Sequence, residues 1–298
     1  MKITVIVLTF NESLHIRRCL ESVAPFATEV LVVDSCSTDE TRDIAKAMGA
    51  SVVSNPWTNY ATQFNFGLNL ISSDVDWVFR LDADEFVSAE LASTLRTRLG
   101  QVEVEVDGIY VWRELVFLGK NIQHGGLFPL KVLRIFRPSR GSCENRWMDE
   151  HIVVQGGTMA FDGSIVDHNL QSLTWWTRKH NDYASREAID LLNLEYGFIE
   201  GSSAHVDSVK GGERTKRFLK EKIYSRLPSG LRAFFYFIYR YIFRLGFLDG
   251  KAGTVFCVLQ AFWYRYLVDA KVAEIKRLMV AEKVDVRSAI QRETGIRL

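Results

Sequence analysis

The chain has no apolar run approaching the ~20 residues that a membrane-spanning helix needs. It carries almost no net charge: 37 Lys and Arg against 36 Asp and Glu leave +1, which exerts no global pull on nucleic acid. Its four cysteines, Cys19, Cys36, Cys143 and Cys257, lack the spacing of a metal site and fit free thiols in a reducing compartment. Nor is a signal peptide expected. Met1 to Val5 run straight into a strand-like segment, and the apolar run ends at Asn11-Glu12 without a small-residue cleavage site. What the 298 residues do have is apolar content, at 47%, enough to furnish one large or two ordinary domains and to exclude wholesale disorder.

Taken in order, the chain alternates strand and helix. Ile3 to Phe10 is a β-branched run suited to a central parallel strand buried on both faces. Asn11-Glu12-Ser13 then opens a helix to about Ser22, with Leu14, Cys19, Leu20 and Val23 on its apolar side and Arg17 and Arg18 on its wet side. Glu29 to Asp34 is the second strand, and Ser37 and Glu40 are spaced as a capping box for a helix ending near Gly49. A short strand, 51–53, is broken by Asn55-Pro56; a helix from Asn59 to Ile71 precedes a further strand that opens as an apolar run at Trp77 and finishes in acidic residues, either continuing through Asp82 and Asp84, which would then share a face, or ending between them. This order predicts an α/β fold, a mostly parallel sheet flanked by helices.

Three of these strands end in polar residues: Thr9, Asn11 and Glu12; Asp34; and Asp82-Ala83-Asp84-Glu85. In a parallel sheet the carboxyl ends lie on one edge, where such sheets bind ligands. Singly, Asn11 and Ser37 read as helix caps and Asp34 as a turn residue. Together they point to a site. The hard oxygens of Asp82 and Asp84 suit Mg²⁺ or Mn²⁺, ions that commonly hold a diphosphate as well.

The blocks Ile6-Val7-Leu8-Thr9-Phe10-Asn11-Glu12, Val32-Val33-Asp34-Ser35-Cys36-Ser37-Thr38-Asp39-Glu40-Thr41 and Leu81-Asp82-Ala83-Asp84-Glu85 resemble, in order and spacing, the inverting glycosyltransferase family 2. Tyr60-Ala61-Thr62-Gln63-Phe64-Asn65 resembles the branch that includes the β-1,4-glucosyltransferases of lipopolysaccharide core synthesis. The resemblance is strong over about the first 90 residues and traceable beyond them. It implies a GT-A (Rossmann-like) catalytic domain over 1–205. The nucleotide sugar would be held by the positions matching Thr9, Asn11, Glu12, Asp34, Gln63, Asp82 and Ala83, with Asp84 on the metal. Carboxylates that accept from a base or ribose, and a cation between diphosphate and aspartates, agree with that chemistry.

An inverting transfer needs one base opposite the leaving diphosphate. In Trp147-Met148-Asp149-Glu150-His151 the family's Glu falls on Glu150 and its His on Asp149; the base is Glu150 or Asp149, with Glu150 preferred. The branch carries a His at His168, which would meet the metal or the diphosphate. Lys131, Arg134 and Arg137 read as surface cations on a strand, the alternative being that one of them meets phosphate.

From Arg214 to Arg244 there are nine Lys or Arg and one acid, Glu221. Leu231, Phe234, Phe235, Ile238, Ile242 and Leu245 share a helical face opposite Arg240 and Arg244, and Val255 to Tyr264 is a second short apolar run. Residues 206–298 therefore read as a helical, basic and aromatic region lying on an anionic membrane surface, the alternative being an aromatic core helix. Aromatic–basic interleaving also marks single-stranded nucleic-acid sites, but no recognition fold accompanies it, so no nucleic-acid partner is expected.

The expectation is a metal-dependent inverting hexosyltransferase. It would move sugar from a nucleotide diphosphate, UDP-linked, to a hydroxyl of a lipid-linked glycan in lipopolysaccharide or other cell-surface polysaccharide synthesis, at the cytoplasmic face of the inner membrane. The alternatives are transfer to polyprenyl phosphate and a non-catalytic sugar-nucleotide or glycan-binding membrane subunit.

Overall fold

Along β1 (Ile3–Thr9) every residue is buried, and successive side chains go to opposite faces. Val5 and Val7 join Trp77, Phe79 and Leu81 in one core cluster, while Ile6 and Leu8 join Leu31, Val33 and Val78 in another. A strand covered on both faces has no polar side, which is why its sequence is a continuous apolar run.

The computed structural model describes residues 1–144, 151–199 and 230–296. The chain forms two compact units, Met1–Leu170 and Gln171–Leu298. In the first, β1 is flanked by β2 (Glu29–Asp34) and β4 (Trp77–Asp82), and β3 (Ser51–Ser54) lies outside β2; these four strands are parallel. Helix α1 (Ile16–Val23) buries Ile16, Cys19, Leu20 and Val23 in the cluster containing Val5 and Val7. Helix α2 (Thr41–Ala47) precedes β3, and α3 (Tyr60–Leu70) covers the other face. The approach of α3 is close: a Cβ at Gly67 would meet Val33 Cγ2 at 2.7 Å.

Beyond β4 the sheet reverses. β5 (Glu85–Val87) and α4 (Ala89–Arg98) are followed by β6 (Val106–Phe117), with β7 (Lys120–Asn121) hairpinned on it, and by β8 (Leu130–Phe136). β8 lies antiparallel between β4 and β6. A small pair, β9 (Gly141–Cys143) and β10 (Ile152–Val154), leads to β11 (Gly157–Asp167), which is parallel to β6 and antiparallel to β5. The sheet order is β3-β2-β1-β4-β8-β6-β11-β5. β11 runs through eleven residues, and its pairing with β6 shifts register between Ala160 and Ser164.

Two local expectations are corrected. Helix α1 begins at Ile16, not at Ser13, so Leu14 lies before it and is exposed, while Arg18 is half-buried. The Ser37–Glu40 capping box does not form. Glu40 is the N-cap of α2 without a side-chain bond, and Ser37 turns toward Asp34.

In the second unit α5 (Leu173–Tyr196), capped by Ser172, packs with the helices Tyr264–Glu282 and Val286–Thr294 through Ile189, Leu192, Ile275 and Ile290. Sequence reading placed α5 in the domain ending at 205; it belongs by contact with the helices after it, and 205 lies outside the described residues. The expected basic–aromatic region is described from Gly230 on. It comprises the helix Leu231–Ile238 with a π-helical turn, Tyr239–Phe243, and the helix Gly250–Phe256 with another, Cys257–Trp263. Among the described residues no helix is long and apolar enough to cross a membrane.

Within this unit His180 stacks on Trp176 at 3.4 Å between centroids, and its Nδ1 donates to the Trp176 carbonyl at 2.9 Å. Burial, with Lys179 adding to it, pushes its pKa down to about 4. The unfolded chain titrates at ~6.5. Below that pH the unfolded state takes a proton that the folded state refuses, so stability falls as pH drops from ~6.5 toward 4. At pH 5 the loss is about 2 kcal/mol. Urea midpoints at pH 7.5 and 5 should therefore diverge more for the wild type than for His180→Phe; identical pH dependence would contradict this.

Candidate active site at the carboxyl edge of the sheet

Register brings the three polar strand ends together. Thr9 pairs with Asp34 across β1 and β2, and Leu8 pairs with Asp82 across β1 and β4. Strand β4 stops at Asp82; Ala83 and Asp84 form a turn, and Glu85 starts β5. All the described candidates except Gln63 and His168 thus come from the ends of β1, β2 and β4, and His168 follows β11, whose Asp167 pairs with Glu85.

Asp34 is wholly buried and fully engaged. Its Oδ1 accepts from Thr9 Oγ1 at 2.9 Å and from Ser37 Oγ, its Oδ2 accepts from the Ser37 N–H at 2.8 Å, and Arg42 Nε lies 3.8 Å away. Asn11 sits at φ 55, a left-handed conformation that Asn tolerates. It is not a helix cap. Its N–H donates to Ser37 Oγ, and its Oδ1 accepts from the Thr38 N–H, both at 2.8 Å. The Glu12 N–H donates to Thr41 Oγ1 at 2.7 Å, and the Ser13 N–H to Asp39 at 3.1 Å. The loops after β1 and β2 are thereby zipped into one surface. Gln63 supports it from below: fully buried, it donates to Ser35 Oγ and to the Asn55 carbonyl and accepts from Asn55 Nδ2.

The acidic end is built differently. Asp82 Oδ1 accepts from the Tyr60 hydroxyl, Asp82 Oδ2 from Arg134 Nη2 at 3.1 Å. The Tyr60 ring lies against the Arg80 guanidinium, 4.4 Å from its centroid. Glu85, fully buried, receives Arg134 at 2.8 Å and Arg113 Nε at 2.9 Å, and its Oε2 accepts the Asp82 N–H at 3.0 Å. Burial, with Asp82 beside it, pushes the Glu85 carboxyl up; Arg134 and Arg113 pull it back. Burial opposes the charge of Arg134, but Glu85 and Asp82 outweigh it and hold the guanidinium protonated. Arg113 Nη2 also reaches Asp167 at 2.8 Å; burial and the Asp84 charge nonetheless push Asp167 up to about 7.

Arg134 therefore corrects the surface reading: its side chain is 6% exposed and is the central counter-cation. The signal was an Arg with two apolar residues on either side, Val132-Leu133 and Ile135-Phe136, in a chain whose strand end carries three acids needing partners. Of its companions, Lys131 is exposed beside Trp112, and Arg137 lies over Trp77.

Asp84 and His168 are brought side by side. The His168 N–H donates to the Asp84 carbonyl at 3.1 Å, and Asn169 Nδ2 donates to Asp84 Oδ2 at 3.0 Å. Arg18 donates to the His168 carbonyl at 2.6 Å and lies 3.1 Å from its Nδ1. A guanidinium only donates, so Nδ1 accepts and the neutral ring carries its proton on Nε2. Burial and then Arg18 lower the His168 pKa and keep the ring neutral. Ala83 is buried in the turn. Asp149 and Glu150 lie outside the described residues.

Among the described residues no three acidic, His or Cys groups converge as a metal cage. A Mg²⁺-type ion held by one or two carboxylates and the substrate's phosphates needs no such cage. Asp84, oriented by Asn169 as an outer partner, fits that sparser kind of site.

The sheet edge and its acidic turn form one crevice at the carboxyl ends of parallel strands, where open α/β sheets bind their ligands. Residues 4–170 match the family model Glycosyl transferase family 2. The chain is 43% identical over 291 residues to an "Uncharacterized glycosyltransferase" of Rickettsia felis, covering 96% of this chain and 94% of that one. It is 26% identical over 195 residues to the lipopolysaccharide core biosynthesis glycosyltransferase LpsC of Rhizobium meliloti, covering 63% of this chain and 71% of that one. A solved Mycobacterium tuberculosis glucosyl-3-phosphoglycerate synthase, in complex with Mn²⁺, UDP and glucosyl-3-phosphoglycerate, matches 38% of this chain and 44% of its own at 25% identity and a TM-score of 0.31. This chain belongs to glycosyl transferase family 2 and has its GT-A fold.

Removing Arg134 leaves Glu85 with Arg113 as its remaining cation and Asp82 with the Tyr60 hydroxyl. Arg134→Met should lower stability by about 3–5 kcal/mol, the usual cost of breaking a buried ion pair from one side. Arg134→Lys, which keeps the charge but not the fork, should lose less. Denaturant unfolding checks both, and an unchanged Arg134→Met midpoint would contradict the role assigned to this cluster.

Proposed function

We propose that this glycosyltransferase moves a hexose with inversion from a UDP-sugar to a hydroxyl of a lipid-linked glycan in lipopolysaccharide or related polysaccharide synthesis. The observation that carries the reading is the in-register convergence of Thr9, Asp34 and Asp82 beside the Asp84 turn. The zipped loops at Asn11, Glu12 and Asp34 take the nucleoside. Asp84 faces the diphosphate and holds Mg²⁺ or Mn²⁺, which when bound neutralises the departing charge. His168, with its proton on Nε2, enters as a hydrogen-bond donor to the diphosphate and not as a metal ligand. Glu150, or Asp149 beside it, removes the acceptor proton in a single displacement. Its placement rests on the motif resemblance. The similarity to LpsC supports a lipopolysaccharide acceptor.

The second unit is proposed to rest on the anionic cytoplasmic surface of the inner membrane. What supports this is the direction of its apolar face. Leu231, Phe234, Phe235, Ile242 and Leu245, which a core helix would cover, are exposed, and Phe243 is 72% exposed. Arg244 and Lys251 are exposed nearby, whereas Arg240 is buried against the Tyr236 and Phe256 rings. Aromatic residues at headgroup depth beside cations bind such surfaces.

Two measurements test these assignments. In a donor screen reporting released UDP with and without Mn²⁺, Asp84→Ala should lose at least a hundredfold in turnover. Glu150→Gln should lose as much while still binding UDP-sugar; wild-type rates in both variants would remove the site. In flotation with vesicles containing anionic lipid, Phe234→Glu combined with Phe235→Glu should shift the protein to the soluble fraction. Unaltered flotation would remove the membrane face.

A further inference from the structure

We propose that His15 is a positioning residue that couples the nucleotide side of the site to its diphosphate side, one ring nitrogen orienting Glu12 and the other fixing residues 168–170. The meaning of the two sides rests on the function proposed above; the bridge itself does not.

His15 is completely buried at the N-terminal end of α1. It makes no side-chain bond to the helix it precedes, so capping does not explain it. Its Nε2 lies 2.8 Å from the Leu170 backbone nitrogen, across 155 positions in the chain. A backbone N–H only donates, so Nε2 accepts. The proton of the neutral ring is then on Nδ1, which lies 2.6 Å from Glu12 Oε2 and donates to that carboxylate. One turn further along the same face of α1, Arg18 grips the same segment through the His168 carbonyl, and it also reaches the Asp84 carbonyl at 3.2 Å. The segment so gripped places Asn169 Nδ2 on Asp84.

A continuous path therefore runs from Glu12 through the His15 ring to Leu170, and through Asn169 to Asp84. Every link is a hydrogen bond or a peptide neighbour. The groups facing the His15 ring nitrogens are Glu12 from the loop after β1 and the Leu170 amide from the segment after β11, with the Arg18 guanidinium one turn away on α1. The buried ring has one donor and one acceptor, both engaged, so a displacement of the partner on one side is passed through it to the partner on the other. Seating of the nucleoside against Glu12 thus sets the position of the carboxylate that faces the diphosphate.

Two substitutions separate the two bonds. In His15→Asn the amide N–H takes the place of Nδ1 and the acceptor is lost; in His15→Gln the amide oxygen takes the place of Nε2 and the donor is lost. Calorimetric binding of UDP should weaken about tenfold in His15→Gln and stay within about threefold of wild type in His15→Asn. For UDP-sugar turnover at saturating donor the order should reverse, His15→Asn losing about tenfold in kcat and His15→Gln little. Equal losses in both parameters in both variants, following a lowered Tm, would make His15 a packing residue only and overturn the proposal. A readout independent of substrate is the ring itself. Nitrogen NMR of the wild type should show the Nδ1-protonated form, and the Leu170 amide should be protected from hydrogen exchange in wild type and His15→Gln but not in His15→Asn. The opposite tautomer, or an unprotected Leu170 amide in the wild type, overturns the bridge. A wild type that binds no UDP while the ring and amide behave as described would instead overturn the functional reading and, with it, the coupling.

Discussion

A carboxylate taken out of water must be paired with a cation and fully hydrogen-bonded, or it protonates. Glu85 imposes that constraint on this molecule. It sits at the first position of β5 with no exposure, and two arginines from two other strands, Arg134 on β8 and Arg113 on β6, converge on it. Its second oxygen takes the Asp82 amide, so the turn that carries Asp82 and Asp84 is pinned from inside the protein. The antiparallel insertion of β8 beside β4 has its physical sense here: it delivers a guanidinium to the end of the strand that carries the acids. The neighbouring carboxylates, Asp82 and Asp167, share these cations.

The β1–β2 side of the crevice, proposed to seat the nucleoside, is held by a different principle. There the network is largely neutral: hydroxyls and backbone amides of the loops after β1 and β2 satisfy one another around a single buried acid, Asp34. Such a network fixes shape and leaves the charge to the acidic turn. Rigid shape on one side and balanced charge on the other is what a transferase needs if it must seat a nucleoside and then tolerate a departing diphosphate. Helix α1 touches both sides, because it starts from the loop after β1, where His15 meets Glu12, and its Arg18 reaches the acidic turn.

The second unit follows a third rule. Its core of Ile189, Leu192, Ile275 and Ile290 is ordinary helix packing, but Phe234, Phe235 and Phe243 face outward. An apolar face left in water is unfavourable by roughly 25 cal/mol for each Å² it exposes, and that cost is the basis of the membrane proposal. The interruptions of the helices by π-turns at 239–243 and 257–263 lie in this region, where Arg240 is turned inward against aromatic rings.

The sequence by itself determined the strand and helix order of the first 90 residues, because buried parallel strands must be apolar throughout and their ends must be polar. It also determined that Thr9, Asp34 and Asp82 share an edge, since that follows from parallel pairing alone. Only the tertiary structure decided which charges are buried and with whom. Arg134, Arg113, Arg18 and His15 lie 49, 28, 66 and 155 positions from the groups they hold. Nothing in a local pattern distinguishes an arginine that will face solvent from one that will meet a carboxylate brought from another strand. Periodicity reports which face of an element is covered; the partner across the gap is set by how distant strands close on each other, and that is a property of the folded chain.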